Sequence, residues 1–543
     1  MAIEINLSRG RSDDVDPISA SDVPHPVTGR VPRVLSLEEI QKLEEDFGRS
    51  VLRAKEAGFD AVMIHGGQGY LISEFLSPRI NRRKDGYGGG IQGRARLAVE
   101  MVLEAKKKGG KDYPVMFRLT ASERMGGGIS LEDICETCRL IRDAGADAVD
   151  VVSGAAETME WTIPSMYFPL GLNVPLAEEI RKRANMPVSV AGRITDPSLA
   201  EEILEKGKAD FITLGRALLA DPHFPRKAKE GKISEIRKCL GCLRCIDSFA
   251  IDAPLECAVN PVLGKEREAS LPKPTRKKKV LVVGGGLAGM QAAVTAAERG
   301  HEVILLEKEK ELGGQVKLAQ APPGKGDLRH ILDYLLEQIE IRKDEIKLIH
   351  EEGTHASIMR WNPNAVIVAT GSTPLIPSIP GIQEGIRAQR VVTGREVLSG
   401  KAQLGKKAVI LGGGMIGCEI ADYLTDQGQE VFVVEILPEL ASDASPWIRK
   451  VLLKRLEERG IRSFVQVREE RITEEGVEIV DSSGNRVSIE VDKVILATGS
   501  VPDSSIFISL KRTVPEVYAV GDSKEPRKIL EAIHEGYSVA KGL

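Results

Sequence analysis

The sequence predicts an α/β protein built in two halves, and three observations lead to this prediction. Short apolar strands alternate with helical stretches through the first half of the 543 residues. The second half contains two copies of one strand–helix–strand unit, each with a glycine-rich turn. A run of cysteines lies between the halves. The 54 glycines and the 4% of aromatic residues agree with this class, because tight strand-to-helix turns use glycine.

The strand–helix rhythm of the first half predicts most of a (β/α) barrel. Five short apolar segments are the predicted strands: residues 60–65, 114–119, 147–153, 187–191 and 210–214. Residues 131–144 carry apolar side chains at helical spacing. In such a barrel the reacting groups lie at the carboxyl ends of the strands.

Polar residues and glycines follow those strands at positions suited to a functional site. The candidates are His65, Gln68, Tyr70, Arg118, Gly192, Arg193, Gly215 and Arg216. Arginines after the last two strands suit a flavin phosphate, because a guanidinium binds phosphate oxygens in a bidentate manner. Outside a known motif, a single histidine or tyrosine is more often an ordinary packing residue.

Four of the seven cysteines have the spacing C-x2-C-x2-C-x11-C: Cys239, Cys242, Cys245 and Cys257. Three thiolates on one tight loop and a fourth further along suit the corners of a cubane 4Fe-4S cluster. A zinc site is the alternative, although zinc ribbons usually pair two C-x-x-C hairpins. A disulfide framework is disfavoured because the chain is large and its cysteine count is odd.

The second half repeats one design for binding a dinucleotide. Each copy has a strand, the glycine pattern G-x-G-x-x-G, a helix and a second strand that leads to an acidic residue. These residues are Gly284, Gly286, Gly289 and Glu307 in the first copy, and Gly412, Gly414, Gly417 and Glu435 in the second. This order of strand, glycine turn, helix, strand and acidic residue brings a pyrophosphate to a helix N-terminus and a carboxylate to ribose hydroxyls. Two dinucleotide sites are therefore expected.

Charge and hydropathy exclude several classes of partner. The 75 basic and 79 acidic residues nearly cancel to a formal net charge of -4, so no basic field is available for nucleic acid or an anionic membrane. The sequence contains no run of about 18 uncharged apolar residues. We expect a cytoplasmic protein that acts on small molecules, without nucleic-acid or membrane partners.

The paired units, with the late stretch Val517-Tyr-Ala-Val-Gly-Asp522, resemble the flavoprotein fold of the pyridine nucleotide-disulfide oxidoreductases. The resemblance implies FAD in the first unit and a nicotinamide nucleotide in the inserted second unit. It implies FAD contacts from Gly284, Gly286, Ala288, Gly289, Glu307, Gln315, Gly521 and Asp522, and nucleotide contacts from Gly412, Gly414, Gly417 and Glu435. Glu435 is followed by Ile-Leu-Pro-Glu rather than by a basic residue, so NADH is favoured over NADPH.

The first half resembles the old yellow enzyme family. The motifs that match are residues 65–78, 81–89, 192–194 and 215–222, and the cysteine run stands where the longer iron–sulfur members carry theirs. Those members include 2,4-dienoyl-CoA reductase, enoate reductase and trimethylamine dehydrogenase.

This second resemblance implies roles for the residues at the strand ends. Tyr70 would donate a proton to the substrate, and His65 and Gln68 would hydrogen-bond its carbonyl oxygen. The remaining candidates would hold FMN: Arg118, Gly192, Arg193, Gly215 and Arg216. Hydride addition to an activated C=C bond leaves an enolate, so such a site needs donors facing the oxygen and an acid facing the carbon.

The chain departs from the family at its beginning. The family barrel has two initial strands and a third that ends in Gln-Leu-x-His-x-Gly-Arg, whereas this chain begins near the third strand. Ile5 and Ser8 stand in the places of that glutamine and histidine. The expected barrel is therefore incomplete at its N-terminal side. A truncated gene start is favoured, and the alternatives are a partner chain that completes the barrel and a barrel that has lost FMN.

The motifs predict a domain order along the chain. The predicted segments are a partial TIM barrel for FMN and substrate at 1–235, an iron–sulfur segment at 236–265, a linker at 266–278, an FAD-binding domain at 279–388 and 501–543, and an NAD(H)-binding domain at 389–500. The cysteine run then lies between a domain for FMN and a module for FAD and NADH, as an electron relay would.

The predicted function is that of an NADH-dependent ene-reductase. Electrons would pass from NADH to FAD, the cluster and FMN, and then reduce the C=C bond of an α,β-unsaturated carbonyl such as an enoyl-CoA, a dienoyl-CoA, an enoate or an enone. One alternative is an NADH:FAD diaphorase that serves as an electron-transfer subunit with a non-catalytic barrel. Another is an amine dehydrogenase. The sequence leaves open whether the chain forms a homo-oligomer and whether a partner chain completes the barrel.

Overall fold

The computed structural model describes residues 1–8, 10–12 and 15–543. Within them the chain divides into two units. The barrel unit comprises Met1–Pro164 and Phe168–Gly215, and the dinucleotide unit comprises Ser165–Tyr167 and Arg216–Leu543. No helix in these described segments is long and apolar enough to cross a bilayer.

The barrel unit is organised around one sheet of six parallel strands. In chain order, which is also their order in the sheet, they are β1 (Ala2–Ile5), β2 (Ala61–Gly66), β3 (Val115–Thr120), β4 (Ala148–Val152), β5 (Val188–Val190) and β6 (Phe211–Ile212). Parallel neighbours that follow one another in the chain need crossover helices, which is the arrangement of a (β/α) barrel. The predicted strands are confirmed, and β1 adds a sixth before them.

Helices connect consecutive strands of this sheet. They are Leu37–Glu56, Leu71–Leu76, Ile91–Arg94, Arg96–Gly109, Leu131–Asp143, Met159–Thr162, Val174–Ala184 and Pro197–Glu205. A short parallel pair, Ile18–Ser19 with Arg33–Val34, lies between β1 and β2. The helix predicted at 131–144 is confirmed to within one residue at its end.

The first long helix shows how sequence sets these elements. Ser36 caps Leu37–Glu56 by accepting a hydrogen bond from the Glu39 backbone N–H, and the Glu39 side chain accepts one from the Ser36 backbone N–H in return. Such a capping box satisfies backbone donors that the first turn leaves unpaired. Apolar residues at helical spacing, among them Ile40, Phe47 and Val51, are buried against the rest of the unit.

The dinucleotide unit contains two parallel five-stranded sheets. The first has the order β9-β8-β7-β10-β16, with β7 (Lys279–Val283), β8 (Glu302–Glu307), β9 (Ile346–His350), β10 (Ala365–Val368) and β16 (Glu516–Ala519). The second has the order β11-β15-β12-β13-β14, with β11 (Val391–Thr393), β12 (Lys407–Leu411), β13 (Glu430–Val434), β14 (Arg462–Phe464) and β15 (Lys493–Leu496). Both orders place the first strand of each glycine pattern in the centre of its sheet, as the predicted repeat requires.

Smaller elements complete this unit. A three-stranded antiparallel sheet is formed by Val467–Ile472, Gly476–Asp481 and Arg486–Glu490, and Ser372–Pro374 pairs with Ser500–Pro502. The helices are Arg216–Ala220, Phe224–Lys229, Arg244–Ala250, Leu287–Glu298, Val316–Ala319, Arg329–Ile341, His355–Met359, Ile382–Arg387, Gly394–Leu398, Met415–Asp426, Pro446–Glu458, Ser505–Leu510 and Ile529–Gly542.

The third glycine of each pattern has a measurable packing role. A Cβ atom on Gly289 would lie 1.9 Å from the backbone oxygen of Gly284, and a Cβ atom on Gly417 would lie 1.9 Å from that of Gly412. Real Cβ atoms do not approach a carbonyl oxygen so closely, so only glycine lets the helix rest on the strand-to-helix turn.

We expect Gly289→Ala to lower the melting temperature and the FAD content of the purified protein. The added methyl group forces the helix off its turn, at a cost of about 1–3 kcal/mol. Thermal unfolding and the flavin released on denaturation measure the two effects. Gly326→Ala is the matched control, because a Cβ atom there meets nothing within 4 Å. Equal behaviour of the two variants would contradict the packing role.

A carboxyl pair between two barrel-unit helices gives a pH dependence. Burial, and then the neighbouring Glu100 carboxylate, raise the pKa of Glu44 to about 7 from its ordinary value. Glu44 therefore binds a proton more tightly in the folded state than in the unfolded chain. Its contribution to the stability of the folded state is complete below about pH 4.5 and is lost as the pH rises through about 7.

We expect Glu44→Gln to melt above the wild type at pH 8 and close to it at pH 4. The amide keeps the hydrogen-bonding shape without the charge, and the gain is on the order of 1 kcal/mol because the group is partly solvated. Calorimetry at both pH values checks this. Glu45→Gln changes an exposed acid one residue away and should have no such pH dependence.

Candidate functional site

The end of β2 and the turn that follows it carry the three residues predicted to act on the substrate. His65 lies near the end of β2, and Tyr70 precedes the helix Leu71–Leu76. Between them, Gln68 and Gly69 have φ values of 59° and 79°. Few non-glycine residues adopt a left-handed conformation, and those that do cluster at functional sites. The Gln68 backbone N–H donates to Thr120 Oγ1 at 2.6 Å, which ties this turn to the end of β3.

His65 and Tyr70 lie against each other. Their ring centroids are 4.7 Å apart with an interplanar angle of 60°. His65 is 7% exposed, and its Nδ1 lies 2.6 Å from Glu4 Oε1. The His65 Nε2 is buried and has no hydrogen-bond partner among the described residues. With Nδ1 held by a carboxylate, this nitrogen is the one left for a ligand.

Glu4 links this histidine to Arg118. Its Oε2 accepts a hydrogen bond from Arg118 Nη1 at 2.8 Å. Burial raises the pKa of Glu4, but the hydrogen bond with His65 and the charge of Arg118 outweigh it and hold the pKa below its ordinary value. Glu4 is therefore a carboxylate that bridges two of the predicted site residues. Sequence reasoning missed it, because its contact depends on the parallel pairing of β1 with β2.

Arg118 continues the polar chain into the sheet. Its Nε donates to Asp150 Oδ2 at 2.7 Å, and Asp150 is fully buried. Asp150 Oδ1 accepts from Thr213 Oγ1 at 2.5 Å, and Thr213 lies 2.6 Å from Ser189 Oγ. Side chains from β1 to β5, together with the residue that follows β6, thus form one hydrogen-bonded network. Two carboxylates hold the Arg118 guanidinium in place.

The other residues predicted to hold FMN lie at two places. Gly192 and Arg193 follow β5, with φ values of 142° and 53°, and Arg193 is 7% exposed. Gly215 follows β6, and a Cβ atom there would meet nothing within 4 Å. Arg216 begins a helix of the dinucleotide unit.

The strand ends of the barrel unit fit a flavin. Two buried hydroxyls, Ser153 Oγ after β4 and Thr195 Oγ1 after β5, have no partner among the described residues. Together with the open backbone at Gly215, they leave polar groups that a ligand with many hydrogen-bonding atoms can satisfy. Arg118, Arg193 and these hydroxyls would hold FMN, which supplies hydride transfer when bound.

The four cysteines converge on one cavity. Cys239, Cys242, Cys245 and Cys257 line it together with Arg216 and the apolar residues Leu219, Leu240, Leu243, Ala258 and Val259. Within the described ranges, no three or more His, Cys, Asp or Glu side chains lie close enough together to hold a single metal ion. Four thiols around one cavity can supply the four corner ligands of an iron–sulfur cubane.

The loop around this cavity is shaped for such a cluster. Gly241 and Leu243 have φ values of 66° and 62°, and these left-handed residues turn the chain between the first three cysteines. The Gly241 backbone N–H donates to Cys239 Sγ at 3.5 Å. Burial raises the pKa of Cys242 to about 12. A bound iron cluster would offset this effect, because its positive charge favours the thiolate.

The first dinucleotide fold fits FAD. Glu307 accepts hydrogen bonds from the backbone N–H groups of Gly285 at 2.7 Å and Glu309 at 2.8 Å, which fix its carboxylate at the end of β8. A Cβ atom on Gly286 would meet nothing within 4 Å, so the helix N-terminus is open to a pyrophosphate. Ala288 is buried beneath Gly521, whose added Cβ would lie 2.9 Å from the alanine Cβ.

Gln315 and Asp522, which the resemblance implies as FAD contacts, lie next to each other in the first dinucleotide fold. Gln315 Nε2 donates to Asp522 Oδ2 at 2.9 Å. Arg395 Nη2 donates to Gln315 Oε1 at 2.8 Å, and burial lowers the pKa of this arginine. Arg395 has no local sequence signal, since 80 residues separate it from Gln315.

The second dinucleotide fold repeats the first with one difference. Glu435 accepts from the backbone N–H groups of Gly413 at 2.6 Å and Leu437 at 2.8 Å. Asp443 Oδ1 accepts from the Met415 N–H at 2.7 Å, at the start of the helix that follows Gly414. The site fits a nicotinamide nucleotide at the glycine turn and at Glu435, with Asp443 at its edge.

Two families match the chain in succession. The NADH:flavin oxidoreductase / NADH oxidase family matches residues 7–235, and the pyridine nucleotide-disulphide oxidoreductase family matches residues 278–536. An NADH oxidase of Thermoanaerobacter brockii is 39% identical, over 98% of this chain and 82% of that protein. The chain belongs to the iron–sulfur branch of the NADH:flavin oxidoreductase family.

Other similar proteins also extend over nearly the whole of this NADH:flavin oxidoreductase. A cinnamate reductase of Clostridium sporogenes is 34% identical, over 97% of this chain and 81% of that protein. The structure of 2-naphthoyl-CoA reductase in complex with 2-naphthoyl-CoA has a TM-score of 0.93 at 32% identity, covering 97% of this chain and 80% of that chain. The predicted family and fold class are confirmed.

Family membership settles the class of chemistry and the cofactors. The chain is an NADH-dependent flavin oxidoreductase, and its cofactors are FMN, FAD, NADH and a 4Fe-4S cluster. The contacts of individual residues with these groups stay predictions.

We expect Cys242→Ala to abolish most of the iron content and the visible absorption of the cluster. Removing one of four thiolates leaves an iron without its protein ligand. Metal analysis and absorption spectra of anaerobically purified protein check this. Cys418→Ala is the control, because Cys418 is buried in the helix Met415–Asp426 and does not line the cavity. Full iron content in the Cys242 variant would contradict the assignment.

Proposed function

We propose that this oxidoreductase uses NADH to reduce the C=C bond of an α,β-unsaturated carbonyl compound. The observation that carries the proposal is the pairing of Tyr70 with His65 at the carboxyl end of β2, in a turn tied to β3. An acid beside a hydrogen-bond donor is what the reaction needs, because one group must protonate a carbon while the other faces the developing enolate oxygen. The similarity to a cinnamate reductase and a 2-naphthoyl-CoA reductase supports the same reaction class.

The residues divide the work as follows in this proposal. The Tyr70 hydroxyl gives its proton to the substrate α-carbon after a hydride has reached the β-carbon. The C=C bond thereby becomes a single bond and two C–H bonds form. The His65 Nε2 and the Gln68 side chain hydrogen-bond the carbonyl oxygen in this proposal. Glu4 keeps His65 in position through its 2.6 Å contact with Nδ1.

The bound groups supply the electrons. The first dinucleotide fold would hold FAD, the second NADH, the four cysteines the cluster and the barrel unit FMN, and when bound these groups would supply single-electron and hydride transfer. The substrate is an enoyl-CoA or dienoyl-CoA, an enoate or an enone.

A comparison of two electron acceptors tests the proposal against that of an electron-transfer subunit. The protein, reconstituted with iron, FAD and FMN, is supplied with NADH and either a dye or a panel of enones, enoates and enoyl-CoA thioesters. We expect NADH-dependent loss of the unsaturated compound and formation of its saturated product. Rapid dye reduction with every unsaturated compound untouched would overturn the proposal and favour an NADH:FAD diaphorase.

We expect Tyr70→Phe to slow reduction of the unsaturated substrate by about 10²–10⁴-fold, the usual contribution of a positioned acid. Dye reduction should keep its wild-type rate, since it needs no proton donor at the substrate carbon. Steady-state rates with both acceptors measure the difference. Tyr113→Phe is the matched control, because its hydroxyl donates only to the Phe59 carbonyl at 2.9 Å. An equal loss of both activities would remove Tyr70 from the role of proton donor.

A further inference from the structure

Arg124 lies in the loop that follows β3 and adopts an unusual conformation. Its φ is 58°, in the left-handed region that side chains rarely occupy. A non-glycine residue is strained in this region, so the surrounding contacts must favour this placement of the side chain. The residue is half-buried.

Among the described residues, no acidic group acts on the charge of Arg124. Its Nη2 donates only to neutral acceptors, the Leu172 carbonyl at 3.2 Å and Asn173 Oδ1 at 3.4 Å. Its Nε is buried and has no hydrogen-bond partner among the described residues. Burial lowers its pKa, with no acidic group opposing the effect.

Other shielded arginines of the barrel unit differ from Arg124 in this respect. Arg11 faces Glu74, Arg94 faces Asp133, and Arg118 faces both Glu4 and Asp150. A desolvated cation without an anion is costly, and leaving donors unpaired adds to that cost. Arg124 therefore has the character of one half of an ion pair whose other half is not part of the protein.

An aromatic wall lies beside the guanidinium. The Arg124 guanidinium carbon is 4.5 Å from the centroid of the Trp161 ring, within cation–π distance. Trp161 in turn contacts Phe168 edge to face, with centroids 4.8 Å apart and an interplanar angle of 70°. Both aromatic residues are only half-buried, so part of their apolar surface is available for a ligand.

This pair lies on the same rim of the sheet as the reacting residues. A Cβ atom on Gly69, beside Tyr70, would lie 2.9 Å from the backbone nitrogen of Ala156, so the turn after β2 touches the loop after β4. The loop after β4 carries Trp161, and its Thr158 hydroxyl donates to the Glu123 carbonyl at 2.7 Å. The loops bearing Tyr70, Arg124 and Trp161 are therefore in mutual contact.

We propose that Arg124 and Trp161 form a recognition site for the carboxylate of a free unsaturated acid, whose apolar or aromatic part packs against Trp161 and Phe168. This inference rests on the proposed function and narrows its substrate class from unsaturated carbonyl compounds in general to free acids. The planar guanidinium suits a carboxylate, because it offers hydrogen bonds in the geometry of the two oxygens. Hydride addition to an enoate is harder than addition to a neutral enone because the carboxylate is negatively charged. The positive charge of Arg124 would offset that charge.

Equilibrium binding of compounds that cannot be reduced tests the site independently of turnover. The holoenzyme is titrated by calorimetry with 3-phenylpropanoate, with hexanoate and with the methyl ester of each. In Arg124→Gln and Arg124→Gly we expect acid binding to weaken about tenfold or more and ester binding to change less than about twofold, as for a lost charge-assisted hydrogen bond. Glycine also relieves the left-handed backbone, so that variant keeps the fold.

Further variants separate recognition from general effects on charge or shape. Arg139→Gln removes a positive charge from the exposed face of the helix Leu131–Asp143 and should leave all four affinities unchanged. Trp161→Leu should weaken 3-phenylpropanoate and its ester together, since it removes the wall and leaves the cation. Equal losses for acid and ester in the Arg124 variants, or no losses, would overturn the proposal. So would a preference for 3-phenylpropanoyl-CoA over the acid that depends on Arg124, because the anion would then be a phosphate.

The outcome also separates this inference from the proposed function. A wild-type enzyme that binds the acid through Arg124 but reduces no unsaturated acid, ester or ketone would keep the recognition site and remove the ene-reductase. A wild-type enzyme that reduces neutral enones, and binds acid and ester equally, would keep the ene-reductase and remove the recognition site.

Discussion

The parallel pairing of the strands in the barrel unit is the constraint on which its chemistry depends. Because all six strands run in one direction, their carboxyl ends meet on one rim, and residues far apart in the chain become neighbours there. The register sets Ile5 beside Ile64 and His65 beside Arg118. A shift of one residue between β1 and β2 would turn Glu4 to the opposite face, away from His65. The same shift between β2 and β3 would turn Arg118 away from it.

Charge compensation explains much of how this rim is arranged. Glu4 and Asp150 together neutralise Arg118, and Glu4 also holds His65 through its Nδ1, so charge-assisted contacts join β1, β2, β3 and β4. Arg124 is the exception, since its cation faces an aromatic ring and neutral acceptors. The same electrostatic rule therefore accounts for the paired groups of the site and for the position at which a cation lies against an aromatic ring.

The dinucleotide unit reaches its two sites by the same physical solution used twice. In each copy a glycine allows the helix to rest on the turn below it, and an acidic residue is fixed by two backbone N–H groups. The copies differ where later chain segments return to them. Arg395 joins Gln315 in the first, whereas Asp443 takes the first N–H of the helix in the second. The repeat thus determines the shared site, and the segments outside it make the two sites distinct.

Sequence alone determined the features whose residues lie close together in the chain. These are the five barrel-unit strands after the first, the two glycine patterns with their acidic residues, and the cysteine run, and each is visible because period or spacing follows from local backbone geometry. The roles of His65 and Tyr70 were implied only by the family resemblance. Only the tertiary structure decided that Glu4 bridges His65 and Arg118, and that the Arg124 guanidinium lies within cation–π distance of Trp161. These contacts join strands or loops far apart in the chain, and their geometry depends on strand register and loop packing, which no local pattern encodes.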